Sequence, residues 1–139
     1  MNRLALASLF GLLVACGTTE QPIVEDAWVR PVRSGTTMTA AYFTLTNPTG
    51  YALTLIGAES PDFASVSIHE TTQENDVSRM RPVESISIDT GEKLTFRPMG
   101  KHLMLMQPKG VFVEGDVVEF ILKFDDGTVL SFDAPLEYR

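Results

Sequence analysis

Beyond residue 22, apolar and polar residues alternate over short runs such as Leu53-Thr54-Leu55 and Val118-Glu119-Phe120, and turn residues separate one run from the next. Alternation of this kind is the mark of half-buried strands, and no stretch sustains the apolar recurrence of a long amphipathic helix. The pattern predicts strands over 23–29, 40–46, 52–58, 65–71, 77–83, 86–88, 93–97, 102–106, 117–124 and 129–133. Asn47-Pro48-Thr49-Gly50, Asp89-Thr90-Gly91, Pro98-Met99-Gly100, Glu114-Gly115 and Asp125-Asp126-Gly127 supply the backbone geometry of tight reversals. Many short strands at this spacing predict one all-β domain, a sandwich or small barrel.

The first residues break the pattern. Arg3 gives a positive start, and residues 4–14 form an apolar stretch too short for a stable membrane anchor, so residues 1–15 read as a signal peptide. Its end, Leu13-Val14-Ala15-Cys16, resembles a bacterial lipobox, which makes Cys16 the expected lipidation site and the first residue of the mature chain. Residues 16–22 are then a lipid-anchored linker and 23–139 the β domain. Each acyl methylene buried in a bilayer contributes about 0.8 kcal/mol, so several chains tether firmly. Gly17 follows the cysteine where an aspartate is associated with inner-membrane retention, which leaves sorting to an outer membrane open.

Composition narrows the class. The formal charge of −7 argues against nucleic-acid binding, which needs a basic surface. Cys16 is the single cysteine, so once it is lipidated neither a disulfide framework nor a thiolate metal site is available. A blue-copper electron-transfer centre requires such a thiolate, and hydrolytic zinc sites use His, Cys or carboxylate with an open position. No catalytic activity is expected.

Candidate chemistry is concentrated in four residues. The only two histidines, His69 and His102, fall in the pattern H-x10-M-x21-H-x-M with Met80 and Met104. Imidazole nitrogen and thioether sulfur make a soft, neutral donor set that favours Cu(I) over cations preferring carboxylate oxygen. Taken singly, Met104 or Met106 reads as core filling, since methionine commonly plugs gaps between strands. Gln73-Glu74-Asn75-Asp76 reads as a four-residue hairpin loop; pairing Thr72 with Val77 across it sets His69 directly opposite Met80. His102 and Met104, two apart on one strand, leave the same face.

This spacing, with Ala27-Trp28-Val29-Arg30-Pro31, Ala40-Ala41-Tyr42-Phe43-Thr44-Leu45-Thr46-Asn47, Met80-Arg81-Pro82-Val83 and His102-Leu103-Met104-Leu105-Met106, resembles the periplasmic copper chaperone family. The resemblance implies a cupredoxin-like Greek-key β-sandwich. It also implies that His69, Met80, His102 and Met104 meet around one Cu(I). A further implication is delivery of that copper to an acceptor such as the copper centre of cytochrome c oxidase subunit II or its assembly factors. On this reading the protein is an extracytoplasmic, membrane-anchored monomer; the alternative is a sequestration or storage lipoprotein using the same ligands without a dedicated acceptor.

Around that set, Met99 and Met106 are supporting candidates, Met106 on the face of His102 and Met104 and Met99 in the preceding turn. Arg79 and Arg81 flank Met80, and Arg97 and Lys101 precede His102, a basic collar that would steer an acidic acceptor. Trp28, Tyr42, Phe43 and Leu45 read as core and sheet packing, and Glu70 is expected on the face opposite His69.

Overall fold

The computed structural model describes residues 20–139, so the leader, Cys16 and most of the linker lie outside the described residues. Ten strands appear where alternation places them: β1 (Ile23–Val29), β2 (Met38–Thr46), β3 (Leu53–Glu59), β4 (Phe63–Glu74), β5 (Val77–Pro82), β6 (Ile86–Ile88), β7 (Lys93–Phe96), β8 (Lys101–Pro108), β9 (Val117–Phe124) and β10 (Val129–Pro135). There is no helix among the described residues.

Two antiparallel sheets result. The larger runs β1-β2-β8-β4-β5, with β7 also paired to β2, and the smaller runs β10-β9-β3-β6. β2 serves two partners in succession: Met38 to Ala41 pair with β8, and Phe43 to Thr46 pair with β7. The core lies between the sheets, where Ala41, Phe43 and Leu45 of β2 and Leu103 and Leu105 of β8 meet Leu55, Val118, Phe120 and Leu122. Phe43 stacks on Phe96 at 4.3 Å and meets Phe132 of the other sheet at 5.0 Å, which ties the two layers.

Alternation has a consequence for the site. Because Leu103 and Leu105 point into the core, His102, Met104 and Met106 leave β8 on the outer face of the larger sheet. Phe43 and Leu45 pack the core as expected. Trp28 and Tyr42 do not: Tyr42 lies between core residues Ala41 and Phe43 and so points to the outer face, and a bulge between Glu25 and Trp28, with Asp26 at φ 53°, shifts the alternation of β1 and turns Trp28 to the same face. They bury each other there, with ring centroids 4.6 Å apart.

A buried amide holds the far end of β2. Asn47 Nδ2 donates to the carbonyls of Tyr51 at 2.8 Å and Ile88 at 2.9 Å, and its Oδ1 accepts from the Thr49 amide at 3.0 Å. Full satisfaction of this group explains how a polar side chain is tolerated at 0 % exposure.

Candidate metal centre

His102 is placed by the turn before it. Residues 97–100 reverse the chain between β7 and β8, with the Gly100 amide donating to the Arg97 carbonyl and Met99 at φ 63°. The turn brings the Gly100 carbonyl 3.0 Å from His102 Nδ1. A carbonyl only accepts, so Nδ1 carries the proton and the lone pair is on Nε2. His102 is 5 % exposed, with Tyr42 beside it at 6.5 Å between ring centroids.

His69 lies directly opposite His102 across β4 and β8, with ring centroids 6.0 Å apart. The expected pairing with Met80 is corrected here. The β4–β5 hairpin closes through Asn75 and Asp76, at φ 51° and 62°, and the ladder continues up to Glu74 opposite Val77. Two consecutive positive φ values make the two-residue turn whose twist suits a hairpin, and Asn and Asp tolerate that conformation. The loop is therefore two residues shorter than polarity suggests, and Met80 faces Thr71 while His69 faces Pro82. A slip of two residues preserves the face. Met80 remains on the outer face as a diagonal neighbour of His69, a relation that spans about 7–8 Å.

One open cavity of about 220 Å³ collects three of the four residues, lined by Met80, His102 and Met104 together with Arg30, Met38 and Ala40. Met80 comes from β5, two strands from β8, so its side chain reaches across β4 toward the cavity. Small side chains permit this: Ser67 faces Met104 from β4, and Ala40 faces it from β2. Met80 is 51 % exposed, whereas Met104 is half-buried.

The histidines fit a soft cation. Ser67 Oγ lies 3.0 Å from His69 Nε2, while Nδ1 of the same ring is buried with no hydrogen-bond partner among the described residues. A hydroxyl both donates and accepts; in the tautomer whose Nε2–H donates to Ser67, the lone pair stands on Nδ1. A buried polar atom left unpaired costs about 1–3 kcal/mol, which a bound ion would relieve. Burial, and then the neighbouring His102, hold the His69 pKa below its ordinary 6.5, keeping the ring neutral as ligation requires. Among the described residues no three of His, Cys, Asp and Glu converge.

The remaining candidates are distributed around this centre. Met106 shares the outer face, with Ser65 on one side and Met38 on the other. Met99 is exposed in the 97–100 turn and does not line the cavity. Arg79 and Arg81 face Thr72 and Glu70, which places them on the side of β5 away from Met80. Lys101 is paired with Glu70 at 2.9 Å, also on the face opposite His69. Sequence reasoning missed Met38, Ser67, Arg30 and Arg33. Met38 and Ser67 were within reach of the period-two rule, Ser67 preceding His69 by two and Met38 preceding Ala40 by two.

An outer-face pair of opposed imidazoles with two thioethers, on a cupredoxin-like sandwich, defines a candidate soft-metal site of the kind the motif implies. Similarity to known proteins agrees. The sequence profile of the family described as "Putative lipoprotein LpqE-like" matches residues 23–136, and the chain belongs to that family. Putative lipoprotein Lxx21020 of Leifsonia xyli subsp. xyli is 32 % identical over 115 residues, 82 % of this chain and 68 % of that protein. Among solved structures, the apo PCuAC domain of PmoF2 superposes with a TM-score of 0.69 at 25 % identity, covering 86 % of this chain and 91 % of that one. The Cu(I) form of DR1885 from Deinococcus radiodurans gives 0.65 at 33 % identity, covering 80 % and 74 %. The resemblance to periplasmic copper chaperones is borne out at the level of family and fold.

Proposed function

We propose that the protein is an extracytoplasmic Cu(I) carrier that holds one ion through His69, Met80, His102 and Met104 and passes it to an acceptor. The observation that carries this reading is the direct opposition of His69 and His102 beside a cavity lined by both thioethers. Two neutral imidazoles and two neutral thioethers leave the complex with a charge near plus one, which suits a soft monovalent ion. DR1885, the relative solved with Cu(I), supports the choice of metal.

The geometry favours delivery over storage. Half-exposed Met80 sits on the edge strand β5, where an incoming ligand displaces it before half-buried His69 and buried His102 are disturbed. An acceptor thiolate is anionic and softer than a thioether, so exchange runs toward it. The copper centre of cytochrome c oxidase subunit II, or an assembly factor serving it, is the acceptor this chemistry suits. Cys16, lipidated at the end of its leader, would hold the carrier at the membrane beside such an acceptor.

Arg97, at the start of the turn before His102, would orient an acidic acceptor, whereas Arg79 and Arg81 face away from Met80 and drop out of the proposed collar. Anaerobic mixing of the copper-loaded protein with an apo subunit II domain tests the proposal. Delivery predicts copper on the acceptor within the mixing experiment; retention by the carrier at equilibrium would favour the storage reading instead.

A further inference from the structure

The chain has six methionines, of which Met1 belongs to the leader. Of the other five, only Met99 is off the outer face; Met38 joins Met80, Met104 and Met106 there, because it faces Met106 directly across β2 and β8. A half-exposed thioether at the start of a strand is not required by packing: Met38 is 49 % exposed, and a β-branched residue would suit the backbone better. Directly opposed residues hold their Cβ atoms about 4.5–5.5 Å apart, close enough for two flexible thioethers to close on one ion. Met106 is one alternation step beyond Met104, about 7 Å along β8. Met38 also lines the same cavity as Met80, His102 and Met104, which brings one member of the pair into the space beside the four-residue centre.

We infer that Met38 and Met106 form a second, outer thioether site for a soft monovalent cation, a station from which the ion passes to or from the four-residue centre. This rests on the reading that His69, Met80, His102 and Met104 bind Cu(I). Two neutral sulfurs hold such an ion more weakly than four donors, and the Arg33 guanidinium on the cavity rim opposes a resident positive charge. The outer site therefore exchanges quickly, and the inner one retains. No bond to the protein other than sulfur–metal coordination forms or breaks, and the metal's oxidation state is unchanged.

The test is an NMR titration of the intact chain, labelled at the methionine methyls, with Ag(I) as the redox-silent counterpart of Cu(I). The first equivalent should shift Met80 and Met104. A second event, at least tenfold weaker, should shift Met38 and Met106 with one shared midpoint while Met99 stays fixed. Met38→Leu should weaken the second event on Met106 at least tenfold. Met38 and Met106 unmoved through the second event, moving with separate midpoints, or Met106 responding normally in Met38→Leu would each overturn the outer site. Failure of the inner reading looks different: Met80 and Met104 would stay fixed at the first equivalent whatever the outer pair does.

Discussion

Ser67→Ala probes the centre without touching a proposed ligand. Its hydroxyl is 3.0 Å from His69 Nε2, and among the described residues it is the only hydrogen-bond partner of that ring, whose Nδ1 has none. Losing it frees the imidazole to rotate and to move its proton to Nδ1, the atom that would face the ion with a lone pair. Outer hydrogen-bond partners of metal-bound histidines typically contribute 10–100-fold in affinity, or about 1.4–2.7 kcal/mol. Fold stability should fall less, by about 0.5–1.5 kcal/mol for one half-buried hydrogen bond. Anaerobic competition against a Cu(I) chelator of known affinity reads the first quantity, and urea denaturation of the apo protein reads the second. Ser65→Ala, two residues earlier on the same face, is the control and should leave the affinity of the inner centre unchanged. Affinity within twofold of wild type in Ser67→Ala would refute the claim that this hydroxyl sets the His69 tautomer.

Other consequences are checkable with the same material. Leu103→Ala, which empties a fully buried position between His102 and Met104, should cost about 2–5 kcal/mol in chemical denaturation. Asp76→Gly should stabilise the protein by a few tenths of a kcal/mol to about 1 kcal/mol, because the position already has φ 62° and glycine takes it without strain; a loss of stability would count against the two-residue turn. The depressed pKa of His69 sets a pH dependence of the apo protein. The unfolded chain binds the proton more readily, so stability is undiminished above pH 6.5 and is lost as pH falls from there through the folded-state value. Denaturation midpoints measured from pH 7.5 to 5 should fall, and should flatten in His69→Gln.

How much of this was legible in the chain follows from what each strand's two faces meet. Strands with one face in the core, such as β8 and β9, alternate cleanly and were placed within a residue or two at either end. The β4–β5 hairpin has no such guide. From Gln73 onward both faces are exposed, so paired strand residues look like loop, and the register was misjudged by two. The even slip left the face intact, so Met80 still shares the outer face with His69 despite the changed register.

Two further features were less accessible. Trp28 is apolar and buried, which in a sequence is indistinguishable from membership of the core; only the bulge at Asp26 turns it to the outer face, against Tyr42. The arginines flanking Met80 are its neighbours in sequence, yet alternation carries them to the other side of the strand. Met38 lies outside the strand that alternation predicts, which begins at Ala40, two residues after the start of β2. The leader and Cys16 were read from motif alone and fall outside the described residues.

X-ray absorption on the anaerobic Cu(I) complex at one equivalent tests the central claim most directly, because it counts nitrogen and sulfur donors on the ion itself. The account predicts two imidazole nitrogens and two thioether sulfurs, with one nitrogen lost in His69→Ala and one sulfur lost in Met104→Ala. A first shell without sulfur, or one that is identical in both variants, would contradict it.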